Sequence, residues 1–163
     1  ADFLIASLGD SLPAAALPAV IFVLAAFTAF STGSSWGAMG ILLPLVLPLC
    51  WAIMGMEGMT AGEDYFVLYS SVAGVLAGAV WGDHCSPISD TTVMSSLSAG
   101  CDHIEHVRTQ LPYALLAGAA ALGAGTLPTS FGLPWWLGML AAAVVTVVGL
   151  RLLGEPVEDY RPE

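Results

Sequence analysis

The sequence predicts an all-α membrane protein whose spans include a re-entrant hairpin and a discontinuous helix. Three observations carry that prediction. The chain is 57% hydrophobic with a mean hydropathy of +0.83, and 10% of its residues are charged, where a soluble domain carries about a quarter. Its apolar residues fall in helix-length runs separated by short polar stretches. Two of those interruptions, 31–37 and 81–92, are dense in hydroxyls and glycine, and the second also holds carboxylates. Helices broken by oxygen-bearing side chains are the form that ion sites take in secondary transporters.

Composition also excludes. The 163 residues hold 3 Lys+Arg, all of them arginine, against 13 Asp+Glu, a formal net charge of −10. So few cations argue against nucleic acid as a partner, since phosphate neutralisation needs basic side chains. The hydrophobic content rules out an acidic disordered chain and makes the lipid bilayer the expected partner. Cys50, Cys85 and Cys101 show no framework spacing and read as free thiols. The opening residues, Ala1-Asp2-Phe3-Leu4, lack a Met and a basic leader, so the chain reads as a piece: a cleaved half, a split gene product or a truncation.

Taken in order, residues 1–12 form an interfacial segment, with Phe3, Leu4, Ile5 and Leu8 on one short amphipathic face. Residues 13–56 read as a helical hairpin. Its first arm, Ala14 to Phe30, spans about 25 Å at ~1.5 Å per residue, slightly short of a ~30 Å hydrocarbon core. Its tip is 31–37, S-T-G-S-S-W-G, and its second arm carries Pro44 and Pro48. Two spanning helices with a tight loop are the alternative, but an external loop usually carries a charge. Residues 57–65 are an acidic external loop. Residues 66–99 form a helix broken at 83–92, where Pro87 removes a backbone N–H and clashes with the preceding turn. Residues 100–110 read as a polar cytoplasmic loop or surface helix, and 111–153 as two spans, the first with Gly118, Gly123 and Gly125 for close packing. Trp135 and Trp136 fall where an interfacial belt would sit, and 154–163 is a polar tail. Arg108, Arg151 and Arg161 lie on one side of these spans, which makes the tail cytoplasmic by the positive-inside rule.

The chemistry concentrates in W-G-D-H-C-S-P-I-S-D-T-T, Trp81 to Thr92. Na⁺ wants hard oxygen ligands, and this stretch offers carboxylates (Asp83, Asp90), hydroxyls (Ser86, Ser89, Thr91) and the carbonyls that a helix break frees. A desolvated carboxylate holds a proton more readily, so one group can trade a proton for a cation. The structural alternative is a capping loop at the membrane surface, with Asp83 or Asp90 as N-cap. Ser31, Thr32, Ser34 and Ser35 supply a second oxygen-rich gap. His84, Thr92 and Trp36 border the two gaps and are candidates for gating or for supporting the ligands. His84, Cys85, Cys101, His103 and His106 are zinc-ligating types, but their spacing fits no zinc pattern. No G-x-S-x-G elbow appears and no strands would carry one, so the chain is not read as an enzyme.

The run Gly82 to Ser96 (G-D-H-C-S-P-I-S-D-T-T-V-M-S-S), then Cys101 to Tyr113 (C-D-H-I-E-H-V-R-T-Q-L-P-Y), resembles the C-terminal half of NhaC-type Na⁺/H⁺ antiporters. Phe30 to Gly37 is similar to the same family's preceding signature. The resemblance implies the second inverted repeat of a secondary transporter in the ion-transporter superfamily. It also implies a homodimer in the inner membrane and a partner first repeat that this chain does not contain. Asp83, Ser86, Ser89, Asp90 and Thr91 would bind the cation, faced by Ser31, Thr32, Ser34 and Ser35. No cofactor is expected, Na⁺ being cargo. The alternatives are exchange of a small organic solute coupled to Na⁺ or H⁺, and a non-transporting half that needs a partner chain.

Overall fold

A computed structural model describes residues 12–59 and 61–154, and these are helices joined by short turns, with no strand among the described residues. Five helical segments are long and apolar enough to cross a membrane: Ala14–Thr32, Ser35–Met56, Gly62–Cys85, His103–Ser130 and Trp135–Leu153. The expected interfacial segment lies outside the described residues except for Leu12, and the tail except for Gly154.

After a 3₁₀ turn at Ala14–Ala16, helix α1 runs over Leu17–Thr32. The Ala14 N–H donates to the Glu57 carboxylate (2.8 Å), tying the start of this segment to the far end of the hairpin. Gly33, at φ 65°, closes α1 in the left-handed region, its N–H bonded to the Ala29 carbonyl (2.8 Å). Ser34 then caps helix α2, Ser35–Met56, accepting from the Gly37 N–H (3.2 Å). The tip is therefore Gly33-Ser34, shorter than the expected 31–37. Ser31 and Thr32 stay helical because their hydroxyls donate back to the Phe27 (2.8 Å) and Thr28 (2.9 Å) carbonyls. Pro44 and Pro48 lie inside α2 without ending it.

Helix α3 spans Tyr65–Cys85 and stops where Ser86 precedes Pro87. A residue before proline is driven to extended backbone, and Ser86 has ψ 129°. Helix α4, Asp90–Ala99, begins after Ser89 and ends at Gly100 (φ 64°). The non-helical break is thus 86–89, narrower than 83–92. Helix α5, His103–Ala120, starts inside the 100–110 stretch read as a loop or surface helix, and the Asp102 side chain caps it by accepting from the Glu105 N–H (3.0 Å). It continues through a π-helical turn, Ala121–Thr126, into the short helix α6, Leu127–Ser130. Helix α7 is Trp135–Leu153.

The core is largest away from the tip, where Leu17, Ile21, Leu49, Ile53, Met54 and Val67 interlock. Toward the tip it narrows to Ala25, Ala29, Ala38 and Ala79, whose small side chains let α1, α2 and α3 approach closely. Contact between α1 and α3 is closest at Gly74, Gly78 and Gly82. A Cβ on Gly74 would lie 2.8 Å from the Pro18 carbonyl oxygen; those on Gly78 and Gly82 would run into the Phe22 and Ala26 carbonyls. On α5, Gly118 seats the Trp81 ring, whose Nε1–H donates to the Ala114 carbonyl (2.8 Å). The three cysteines are free thiols.

Candidate cation site

The hairpin tip and the 86–89 break lie against each other. Ser86, fully buried, donates its hydroxyl to the Phe30 carbonyl at 2.7 Å. Phe30 is one of the last four residues of α1, whose carbonyls have no N–H of their own helix to accept from. A Cβ on Gly33 would sit 2.8 Å from the Ile88 carbonyl oxygen, so glycine here serves both the turn and the contact.

Asp83 lies in the last turn of α3, one turn beyond Ala79 on the alanine-lined face. Its residue exposure is 5%, and its Oδ1 has no hydrogen-bond partner among the described residues. The C-terminal end of α3, where that carboxylate sits, is the negative pole of the helix. The freed carbonyls of α3 are served locally. The Asp83 carbonyl accepts from the Ser86 N–H (2.9 Å), and the His84 carbonyl from Gln110 Nε2 (2.6 Å).

The other expected residues divide. Ser89 is buried, its hydroxyl sharing a hydrogen bond with Thr91 Oγ1 (2.8 Å). Asp90 is exposed, and its Oδ1 accepts from the Thr91 N–H (2.8 Å) in the first turn of α4, where the positive helix pole suits a carboxylate. Thr92 is buried, with its hydroxyl 3.5 Å from the His84 carbonyl, and the His84 side chain faces outward. Ser31 and Thr32 are exposed on α1, Ser34 is spent on its cap, Ser35 is half-buried, and Trp36 is 82% exposed. The structure therefore joins the two gaps through Ser86 and the backbone of Phe30 and Gly33, not through the tip's hydroxyl side chains.

Among the described residues no group of three or more His, Cys, Asp or Glu could hold a metal ion. Sequence reasoning missed the Phe30 carbonyl, which no pattern marks. It also missed Gly74, Gly78 and Gly82, whose spacing of four was a readable signal for close helix packing.

A model of a family described as the Na⁺/H⁺ antiporter family matches residues 2–127. An uncharacterized protein of Haemophilus influenzae is 42% identical over 146 residues, 90% of this chain and 26% of that protein. An uncharacterized Na⁺/H⁺ antiporter of the same organism is 35% identical over 98 residues (58% of this chain, 19% of that one). A malate-2H⁺/Na⁺-lactate antiporter of Bacillus subtilis is 32% identical over 90 residues (55% and 17%). The chain thus spans about a quarter or less of the length of these relatives. No solved structure matches it.

Proposed function

This chain belongs to the Na⁺/H⁺ antiporter family, and from that premise we propose that it is part of an integral membrane protein that exchanges Na⁺ for H⁺. The observation that carries the reading is Asp83: a carboxylate buried at the C-terminal pole of α3, with an unpartnered oxygen, beside the junction of the two gaps. Such a group takes either a proton or a cation, and the two compete. Asp83 is the shared carboxylate in this mechanism. Ser89, Thr91 and Asp90 at the head of α4 lend oxygen and negative charge nearby, and Ser86 holds the tip against the break.

In the same reading the chain is the C-terminal half of an NhaC-type antiporter. The α1–α2 pair is the re-entrant hairpin of a second inverted repeat, α3 and α4 are its discontinuous helix, and the tail is on the cytoplasmic side of the inner membrane. A first repeat completes the site, and two copies form the dimer. The Bacillus subtilis relative's name brings in organic acids. However, the described arginines, Arg108 and Arg151, lie outside both breaks, so neither break carries a cation to clamp a carboxylate. That favours a bare cation.

The test is Na⁺-driven proton flux in proteoliposomes holding the full-length protein. Wild type should acidify or alkalinise the lumen according to the direction of the Na⁺ gradient, and Asp83→Asn should not. Flux that survives Asp83→Asn and Asp90→Asn together overturns the assignment.

A further inference from the structure

We propose that His103 is a positioning residue of the cation site, holding the 86–89 break from α5 while the hairpin tip holds it from α1. This rests on the transport reading above for its consequence, though not for its geometry. His103 opens α5, 16 residues beyond Pro87, yet its Nε2 lies 2.6 Å from the Pro87 carbonyl oxygen. That carbonyl belongs to the non-helical linker, so no helix ladder supplies it with a donor. In the same linker, Ser86 is bound to the Phe30 carbonyl and Ile88 abuts Gly33. The linker is thus held by α5 at Pro87 and by the hairpin tip at Ser86 and Ile88.

With the ring neutral, proton accounting gives the grip one arrangement. A carbonyl oxygen only accepts, so His103 must carry its hydrogen on Nε2 and donate it to Pro87. In the neutral ring Nδ1 is then bare and needs a donor. The Ser96 hydroxyl, buried on α4, stands 3.0 Å away and supplies one. That hydroxyl has a single proton, so the second imidazole beside it, His106 Nδ1 at 2.7 Å, must donate to Ser96 Oγ instead of accepting from it. The Ser96 hydroxyl can also donate to the Thr92 carbonyl at 2.9 Å, but that oxygen is already served by the α4 ladder, and in the proposed arrangement the proton goes to His103. The result is a one-way chain, His106 to Ser96 to His103 to Pro87, that ties α4, α5 and the break together.

Two readouts test it. In ¹⁵N-histidine spectra of the intact protein in lipid, the His103 signals, assigned by their loss in His103→Gln, should report a hydrogen on Nε2. A ring protonated on Nδ1 alone overturns the proposal, whether or not the protein transports. In proteoliposomes, His103→Ala should raise the half-saturating Na⁺ concentration roughly 3–10-fold, the value of one lost hydrogen bond, with little change in maximal rate. His103→Gln places an amide N–H near the Nε2 position and should recover most of that affinity, whereas His103→Asn, whose amide sits nearer Nδ1, should not. Equal behaviour of Gln, Asn and Ala overturns the proposal. Wild-type protein without Na⁺-dependent flux sinks the transport reading alone, since the tautomer is read separately.

Discussion

The Ser86 hydroxyl closes the open end of α1 by donating to the Phe30 carbonyl across 2.7 Å. The two residues are 56 apart in sequence, and this is the one side-chain hydrogen bond among the described residues that joins the hairpin to the 86–89 break. Ser86→Ala removes that donor from a part-buried carbonyl, at a cost of about 1 kcal/mol. Thermal unfolding of the purified protein in detergent should show the loss, and a wild-type melting profile would contradict it.

Gly33 faces a double constraint. Its φ of 65° costs an L-residue about 1–2 kcal/mol, and any Cβ meets the Ile88 carbonyl. Gly33→Ala should therefore weaken Na⁺-driven flux by pushing the tip off the break. Gly33→Asn relieves the backbone cost but not the contact, and is expected to fare no better. A fully active Asn variant would show that φ alone matters here.

The α1–α3 contact predicts a graded series. Gly82→Ala and Gly78→Ala drive a methyl into a backbone carbonyl that cannot swing aside, and each should destabilise by about 1–3 kcal/mol or more. Gly40→Ala meets nothing within 4 Å and should be neutral or stabilising. Comparing detergent melting temperatures across the three variants decides the ranking.

Asp83 sets the expected pH response of the proposed exchange. Protons and Na⁺ compete for one carboxylate, so the Na⁺ needed for half-maximal flux should rise as pH is lowered and fall as pH is raised. Asp83→Asn removes the charge both compete for. With no group left to trade a proton for Na⁺, the variant should show no Na⁺-driven proton flux at any Na⁺ concentration or pH tested. Titrating proton flux against Na⁺ at several pH values in both proteins measures this.

How much of this was legible in the sequence depended on which physical signal each residue gives. Apolar run length marked the five long apolar helical segments. Pro87 placed the end of α3, because the proline rule acts on its own neighbour, Ser86. Hydroxyl density was a poorer guide to the extent of either gap. Ser31 and Thr32 satisfy themselves on the preceding helical turn, so α1 runs to Thr32. Asp90 and Thr91 settle into the first turn of α4, the Asp90 carboxylate accepting from the Thr91 N–H and the Thr91 hydroxyl pairing with Ser89. His103 and His106 read as part of a polar surface stretch, since only the fold brings Ser96 and Pro87 to them. Gly123, read with Gly118 as a packing residue, meets nothing within 4 Å, while Gly118 seats the Trp81 ring.

The glycines at 74, 78 and 82 carry one more implication. Where two backbones touch on three successive turns, neither can ratchet along the other without driving a carbon into an oxygen. Helices α1 and α3 are thus a single stiff beam, and any rearrangement that moves Asp83 must carry the Ala26 and Phe30 end of the hairpin along with it.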